Sequence, residues 1–432
     1  MAIADALRAD SLPPALLTMA NYNGTLGAVR AFGRAGIPVV TADPSRLAVS
    51  GWSRYTTHRA QCPPVQAVER FLDWLMEFGA KHGRHVLLPT SDDTAWLYSL
   101  HRQQLSQYFH LSPVSVDVIY RLLNKRLLYR HAVEAGLSVP RTWFPRTPEE
   151  LETCAREARF PVLVKPLTQV MFTNRNKGSL VETEDELQWR FGWVARQHYG
   201  EVLLKLDPTV SQPMVQEYFK NASTGIYNIS AYVHDGRLRG ARAARKVLQQ
   251  PRRVGTGVCF EEAAVVPELA AGLERMVARL EFSGVFEAEF INAEAEPLLI
   301  DFNPRFYNQM AFDIARGLPL PLLAYYEALG HQQMLQRTIE EAMVVSPEPH
   351  DRAFVDLFAL RILLIGQGLS GALSPEEKQR WTDWYNRHRD RCTYAVLDSD
   401  DRVPAFLAGL QLVVRHGRHP RHFVRSMVLN RA

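Results

Sequence analysis

The sequence predicts an α/β protein of more than one domain, and three observations carry that reading. Residues 15–42 read as strand, helix, strand, the unit of a parallel sheet. Residues 285–305 read as two strands that are acidic on one face and aromatic on the other. The chain has 432 residues, 47% hydrophobic and 22% charged, enough to bury a large core and in the range of soluble globular proteins. The net charge of +4 is too small to argue for nucleic acid. Cys62, Cys154, Cys259 and Cys392 are far apart and form no Cys-x-x-Cys pair, which argues against structural zinc or a disulfide framework and for a reducing cytoplasm. Residues 1–10 lack a basic segment followed by an apolar core, so no secretory signal is expected. No apolar run approaches the roughly 20 residues of a membrane helix.

Taken in order, residues 15–20 are a short buried strand, the Asn21–Gly24 stretch is a polar turn, and Leu26, Val29 and Phe32 give 25–36 helical spacing. The next strand is 37–42. No Gly-x-Gly-x-x-Gly follows the first strand, so a nicotinamide site is not indicated. Asn23 and Gly24 sit where a substrate could bind, or form a simple turn. Residues 86–90 are another strand, with Asp92 or Asp93 as cap of the following helix. Asn124 and Lys125 open a helix that Gly136 ends. Thr147, Pro148 and Glu150 form a helix start with capping box. An apolar strand over 160–166 ends in Lys165, and 178–182 is the next. The loop 168–177 between them contains no glycine, so its backbone is not bare enough to cradle phosphate closely, and Arg175 or Lys177 could substitute by side-chain contact. Residues 214–219 are a strand ending in Glu217, Tyr218 and Phe219. Strands over 226–233 and 238–247 flank the turn Asp235-Gly236. On the second, Arg242 and Lys246 share one face, and Arg239 and Arg245 the other. A solvated basic strand is the other reading.

On the acidic hairpin, Glu287 and Glu289 share a face, as do Asp301, Asn303 and Arg305, with residues 292–297 as the loop. Two carboxylates and an amide oxygen suit a hard cation such as magnesium, and Arg305 adds a planar cation able to hold phosphate or carboxylate with two hydrogen bonds. A solvated charged face is the alternative. Residues 336–432 read as mostly helical, with 354–365 as core, a capping box at Ser374–Glu377, and a tail of Arg and His from 415 to 425 that is solvated or faces another subunit, with a metal or acidic-membrane site as the alternative.

Asp301-Phe302-Asn303-Pro304-Arg305 resembles the carboxylate-x-Asn-Pro-Arg signature of the ATP-grasp superfamily, and the strand 286–290 resembles its metal-binding strand. The resemblance runs from about residue 15 to 330 and is nearest to carboxylate–amine ligases of the D-aspartate ligase type. It implies an ATP-grasp fold over 119–335 with a lid subdomain at about 140–215, a Rossmann-like domain over 1–118 and a C-terminal region over 336–432. It implies ATP with Mg2+, or Mn2+ in its place, held by Glu289, Asp301 and Asn303. The family usually has Glu where Asp301 stands. Lys125 and Lys165 would contact phosphates, and Glu217, Tyr218 and Phe219 would hold adenine. The usual ribose acid is missing, leaving Asn228 as nearest polar candidate. Arg305, with Arg242 or Arg245 and Lys246, would face the γ-phosphate and the activated carboxylate. Asp92 falls where the family has polar groups near substrate. The activity implied is ADP-forming amide synthesis from a small-molecule carboxylate and an amine through an acyl phosphate, with a homodimer admissible. A non-catalytic nucleotide-binding protein and a bicarbonate-using carboxylase are the rivals.

Overall fold

The computed structural model describes residues 12–173, 178–220, 225–252, 255–293, 296–344 and 351–418. These residues form three sheets. The first is parallel, with β1 (Ala15–Leu17), β2 (Val39–Asp43), β3 (His58–Gln61), β4 (His85–Leu88) and β5 (Phe109–His110) in the order β3-β2-β1-β4-β5. Its central strands are buried on both faces, as helix-covered parallel strands must be. Leu16, Val40 and Leu87 enter one core with Phe71 and Leu75. Leu17, Val39 and Leu88 point the other way and pack with Phe32 and Tyr325. The two-residue alternation of a strand thus joins two cores back to back.

The second sheet, antiparallel, holds β6 (Thr142–Trp143), β7 (Val162–Lys165), β8 (Ser179–Val181) and β9 (Met214–Glu217) in the order β6-β9-β7-β8. The third holds β10 (Ile226–His234), β11 (Arg237–Gln250), β12 (Thr256–Ala263), β13 (Gly284–Ala293), β14 (Glu296–Asn303), β15 (Ala353–Val355) and β16 (Cys392–Tyr394), ordered β14-β13-β10-β11-β12-β15-β16. Phe286, Ala288, Phe290 and Phe302 all enter the main core from the face of β13 and β14 opposite the acidic one. Phe286 and Phe302 stack with ring centres 4.6 Å apart.

One expectation needs correction. The acidic hairpin is longer than the sequence suggests: Asn292 pairs with Pro297 and Ala293 with Glu296, so the predicted loop is mostly strand. The C-terminal region is mostly helical, as expected, and adds two short strands. Its β15 pairs antiparallel with β12 and its β16 runs parallel to β15, completing the third sheet. The helix Val403–Arg418 follows, and the tail beyond 418 lies outside the described residues. No helix among the described residues is long and apolar enough to cross a membrane.

The helix Asn23–Arg34 follows β1 and seats its first turn on the backbone after β14. A Cβ at Gly24 would lie 2.4 Å from the carbonyl oxygen of Tyr307, which is backbone and cannot swing aside. Gly24→Ala is therefore expected to destabilise the fold by about 1–3 kcal/mol, the usual cost of overpacking. Urea denaturation checks this, and an unchanged midpoint would show that the two segments separate freely.

Candidate active site

Residues from the second and third sheets, and from segments that follow strands of the first, line one cleft of about 490 Å³. Its floor is the polar face of β13 and β14. Glu289 and Asp301 are direct partners across the two strands, and Glu287 faces Asn303 one step along. Two lysines arriving from different elements neutralise the first pair. Asn124 caps the helix Lys125–Glu134, its side chain accepting from the backbone N–H groups of Arg126 and Leu127. That cap sets Lys125 at the helix start, where its ammonium pairs with Asp301. Lys246 on β11 is 5% exposed and bonds both oxygens of Glu289, at 3.1 and 3.0 Å.

The second sheet forms the opposite wall. Lys165 Nζ, at the end of β7, donates to Gln216 Oε1 at 2.8 Å. The Gln216 amide nitrogen donates in turn to Tyr129 Oη at 2.8 Å and Thr142 Oγ1 at 3.2 Å, so its oxygen is left facing the lysine. Glu217, Tyr218 and Phe219 continue from β9 along the cleft. The segment before the next strand is no glycine-rich flap. Val170 and Met171 are buried in the main core, and Met171 N–H donates to Asp93 Oδ1 at 2.6 Å. Arg175 and Lys177 lie outside the described residues.

Arg305 connects the floor to the first sheet. Its Nε donates to Asp92 Oδ1 at 2.6 Å, Nη1 to the Phe306 carbonyl at 3.0 Å and Nη2 to Asn303 Oδ1 at 2.8 Å. Burial works against its charge, but Asp92, Glu287 and Asp301 outweigh burial and raise its pKa. Ser91 starts the helix Asp92–Leu100 with a capping box, which fixes where Asp92 emerges. Below Asn303 lies Glu287, 2% exposed. It accepts from Asn228 Nδ2 at 2.5 Å, from Asn303 Nδ2 at 2.9 Å and from Gln309 Nε2. Burial and then the nearby Glu289 push its carboxyl up to about 7, against the pull of Lys246, the Gln309 hydrogen bond and Arg305.

Three expected site residues are placed elsewhere. Arg242 is 6% exposed and lies away from the cleft, donating to the carbonyls of Arg316, Ala241, Gly317, Ala342 and Val344. It tethers the 313–317 turn and the end of the helix Gln332–Met343 to β11. Arg245 is exposed, on the strand face opposite Lys246. Asn228 is 1% exposed and spends its amide on Glu287, so it does not face a ribose from the cleft. Glu287 itself and Gln309 carry no motif of their own; only the shared parity of Glu287 with Glu289 placed the former on the acidic face.

The donor set fits magnesium: opposed carboxylates and an amide oxygen are the hard oxygen ligands such an ion takes.

No protein-family model matches the chain. It is 23% identical over 288 residues to a D-aspartate ligase of Enterococcus faecium, a match covering 63% of this chain and 63% of that protein, so it spans less than two thirds of the relative's length. Among solved structures it is similar to the biotin carboxylase domain of a Hydrogenobacter thermophilus 2-oxoglutarate carboxylase, described with magnesium ADP and bicarbonate, with TM-score 0.56, 14% identity and 73% and 69% of the two chains covered. An L-amino acid ligase from Bacillus licheniformis superposes with TM-score 0.53 and 12% identity over 74% of this chain and 75% of its own. An N5-carboxyaminoimidazole synthetase from Staphylococcus aureus, complexed with ADP, gives TM-score 0.53 and 14% identity over 71% and 74%. The parallel sheet, the antiparallel second sheet and the acidic floor, in that order, give this chain the ATP-grasp fold.

Proposed function

We propose that the protein is an ATP-dependent carboxylate–amine ligase that forms an amide bond and releases ADP and phosphate. The observation that carries this is the convergence of Glu289, Asp301, Lys125, Lys246, Lys165 and Arg305 on one cleft. The catalytic unit on this reading is 119–335, with 140–215 as lid, while 1–118 contributes Asp92.

A substrate carboxylate oxygen attacks the γ-phosphorus of ATP, the bond to the β-phosphate oxygen breaks, and ADP leaves. The amine nitrogen then attacks the acyl carbon, the carbon–oxygen bond to phosphate breaks, and the amine's proton is lost. Magnesium or manganese on Glu289, Asp301 and Asn303, when bound, supplies charge neutralisation of the phosphate oxygens. The chain's own groups do the rest by placement. Lys125 and Lys246 pair with Asp301 and Glu289 and would be placed to hold phosphate oxygens were a cation bound by those carboxylates. Lys165 holds the phosphate chain from the lid side. Glu217, Tyr218 and Phe219 receive the adenine. Arg305 lies nearest the first sheet, where its guanidinium can hold the carboxylate being activated. Partners of the amino-acid type suit this end of the cleft, which presents Ser91, Asp92 and Asn308.

The test is phosphate release from ATP and magnesium, screened against pools of carboxylic acids, amino acids and amines. Release is expected only when a carboxylate and an amine are both present, and it should vanish in Asp301→Ala. Release with bicarbonate and no amine would transfer the chain to the carboxylase reading. ATP binding without turnover in any pool would favour a nucleotide-binding protein with no catalysis.

A further inference from the structure

We infer that Glu287 is a positioning residue that fixes which way round the Asn303 amide sits, and so turns Asn303 Oδ1 into a ligand. This rests on the ligase reading above. Asn303 lies between two neighbours of opposite demand. Glu287 Oε2 is 2.9 Å from its nitrogen, and Arg305 Nη2 is 2.8 Å from its oxygen. An ionised carboxylate only accepts and a guanidinium only donates, so one orientation of the amide satisfies both and the other satisfies neither. The other Glu287 oxygen accepts from Asn228 and Gln309. Each of these three amides thus donates an N–H to this carboxylate.

Glu287 is 2% exposed and does not line the cleft, so it cannot touch a substrate. Its effect must pass through Asn303. Groups that orient a ligand from behind typically set metal affinity by about 10–100-fold.

Glu287→Gln puts an N–H2 where an acceptor is needed. The Asn303 amide is then expected to turn over, presenting its own N–H2 towards the metal position and Arg305. Manganese binding in the presence of ATP, read by electron paramagnetic resonance, should weaken by about tenfold or more. Asn303→Asp alone should also weaken binding, because it sets two carboxylates face to face. The double variant Glu287→Gln/Asn303→Asp should bind better than either single one, since the introduced amide now donates to the introduced carboxylate. Mere loosening of the core would make the double variant worst. Thermal melts accompany each variant. If Glu287→Gln does not fold, Asn303→Asp decides alone: manganese affinity at or above that of the natural chain overturns the inference, because an added negative ligand would then meet no opposition from Glu287. An unchanged Glu287→Gln, or a double variant weaker than both singles, overturns it too. A natural chain that binds no manganese–ATP sinks the ligase reading itself, whereas binding that is indifferent to Glu287 sinks only this role.

Discussion

Replacing Arg305 by alanine is expected to lower kcat by about 100- to 1,000-fold while leaving ATP affinity nearly unchanged. The magnitude is that of losing one fixed donor aimed at developing negative charge. Arg305 has the rigidity such a donor needs. All three of its donor nitrogens are engaged, one by Asp92 at the start of the helix Asp92–Leu100, one by the Phe306 carbonyl and one by Asn303. On the proposed reading phosphate affinity rests on Lys125, Lys165 and Lys246, which approach from other elements, so the loss should appear in the chemical step. Arg305→Lys keeps the charge but not the planar fork that bridges Asp92 and Asn303, and should recover little of the rate. Steady-state kinetics with saturating ATP decide the matter. A normal kcat in Arg305→Ala, or full rescue by lysine, would remove Arg305 from the reaction and leave it as a strut between sheets.

Much of this arrangement could be read from spacing because the decisive signals are local. Alternation along two adjacent strands put Glu289, Asp301 and Asn303 on one face and Phe286, Phe290 and Phe302 on the other, and the register adds only that Glu289 and Asp301 are opposed. Asn124 before a helical run located Lys125. What could not be read depends on distant chain. Parity assigns Arg242 to the same strand face as Lys246, but it does not say how far along the strand the cleft extends. The carbonyls of residues 316, 317, 342 and 344 close over Arg242 before the cleft begins. Asp92 meets Arg305 across 213 positions, a contact no local pattern encodes. The strands Ala353–Val355 and Cys392–Tyr394 are three residues each, too short for a period to show. Thr256–Ala263 was obscured by glycines at 255 and 257, which read as loop. Sequence position makes Asn228 the nearest polar residue after Glu217, Tyr218 and Phe219, and only the fold shows that Glu287 claims it.

The largest stability effect is expected from Asp401→Ala, at about 3–5 kcal/mol, the range for breaking a buried ion pair by removing one partner. Asp401 comes from the C-terminal region, and its side chain is 1% exposed. It accepts from Arg30 Nε at 3.0 Å, Ser53 Oγ at 2.7 Å and Arg54 N–H at 2.9 Å. Without it, Arg30, itself 7% exposed, retains the carbonyls of residues 396 and 401 and only the longer pairing with Asp398 at 3.8 Å. The neighbouring pair Arg34–Asp398 is the internal control. Its arginine is 47% exposed, so solvent screens it and Arg34→Ala should cost under about 1 kcal/mol. Denaturant unfolding of the two variants compares the terms directly, and equal losses would show that burial does not govern this cluster. The site has a stake in the result. Arg30 lies on the helix Asn23–Arg34, whose first turn bears on Tyr307 just past Arg305. Asp401 thus clamps the third sheet's C-terminal strands to the helix that backs the cleft floor. Asp401→Ala should therefore lose the proposed ligase activity at a lower denaturant concentration than it loses the bulk of its secondary structure.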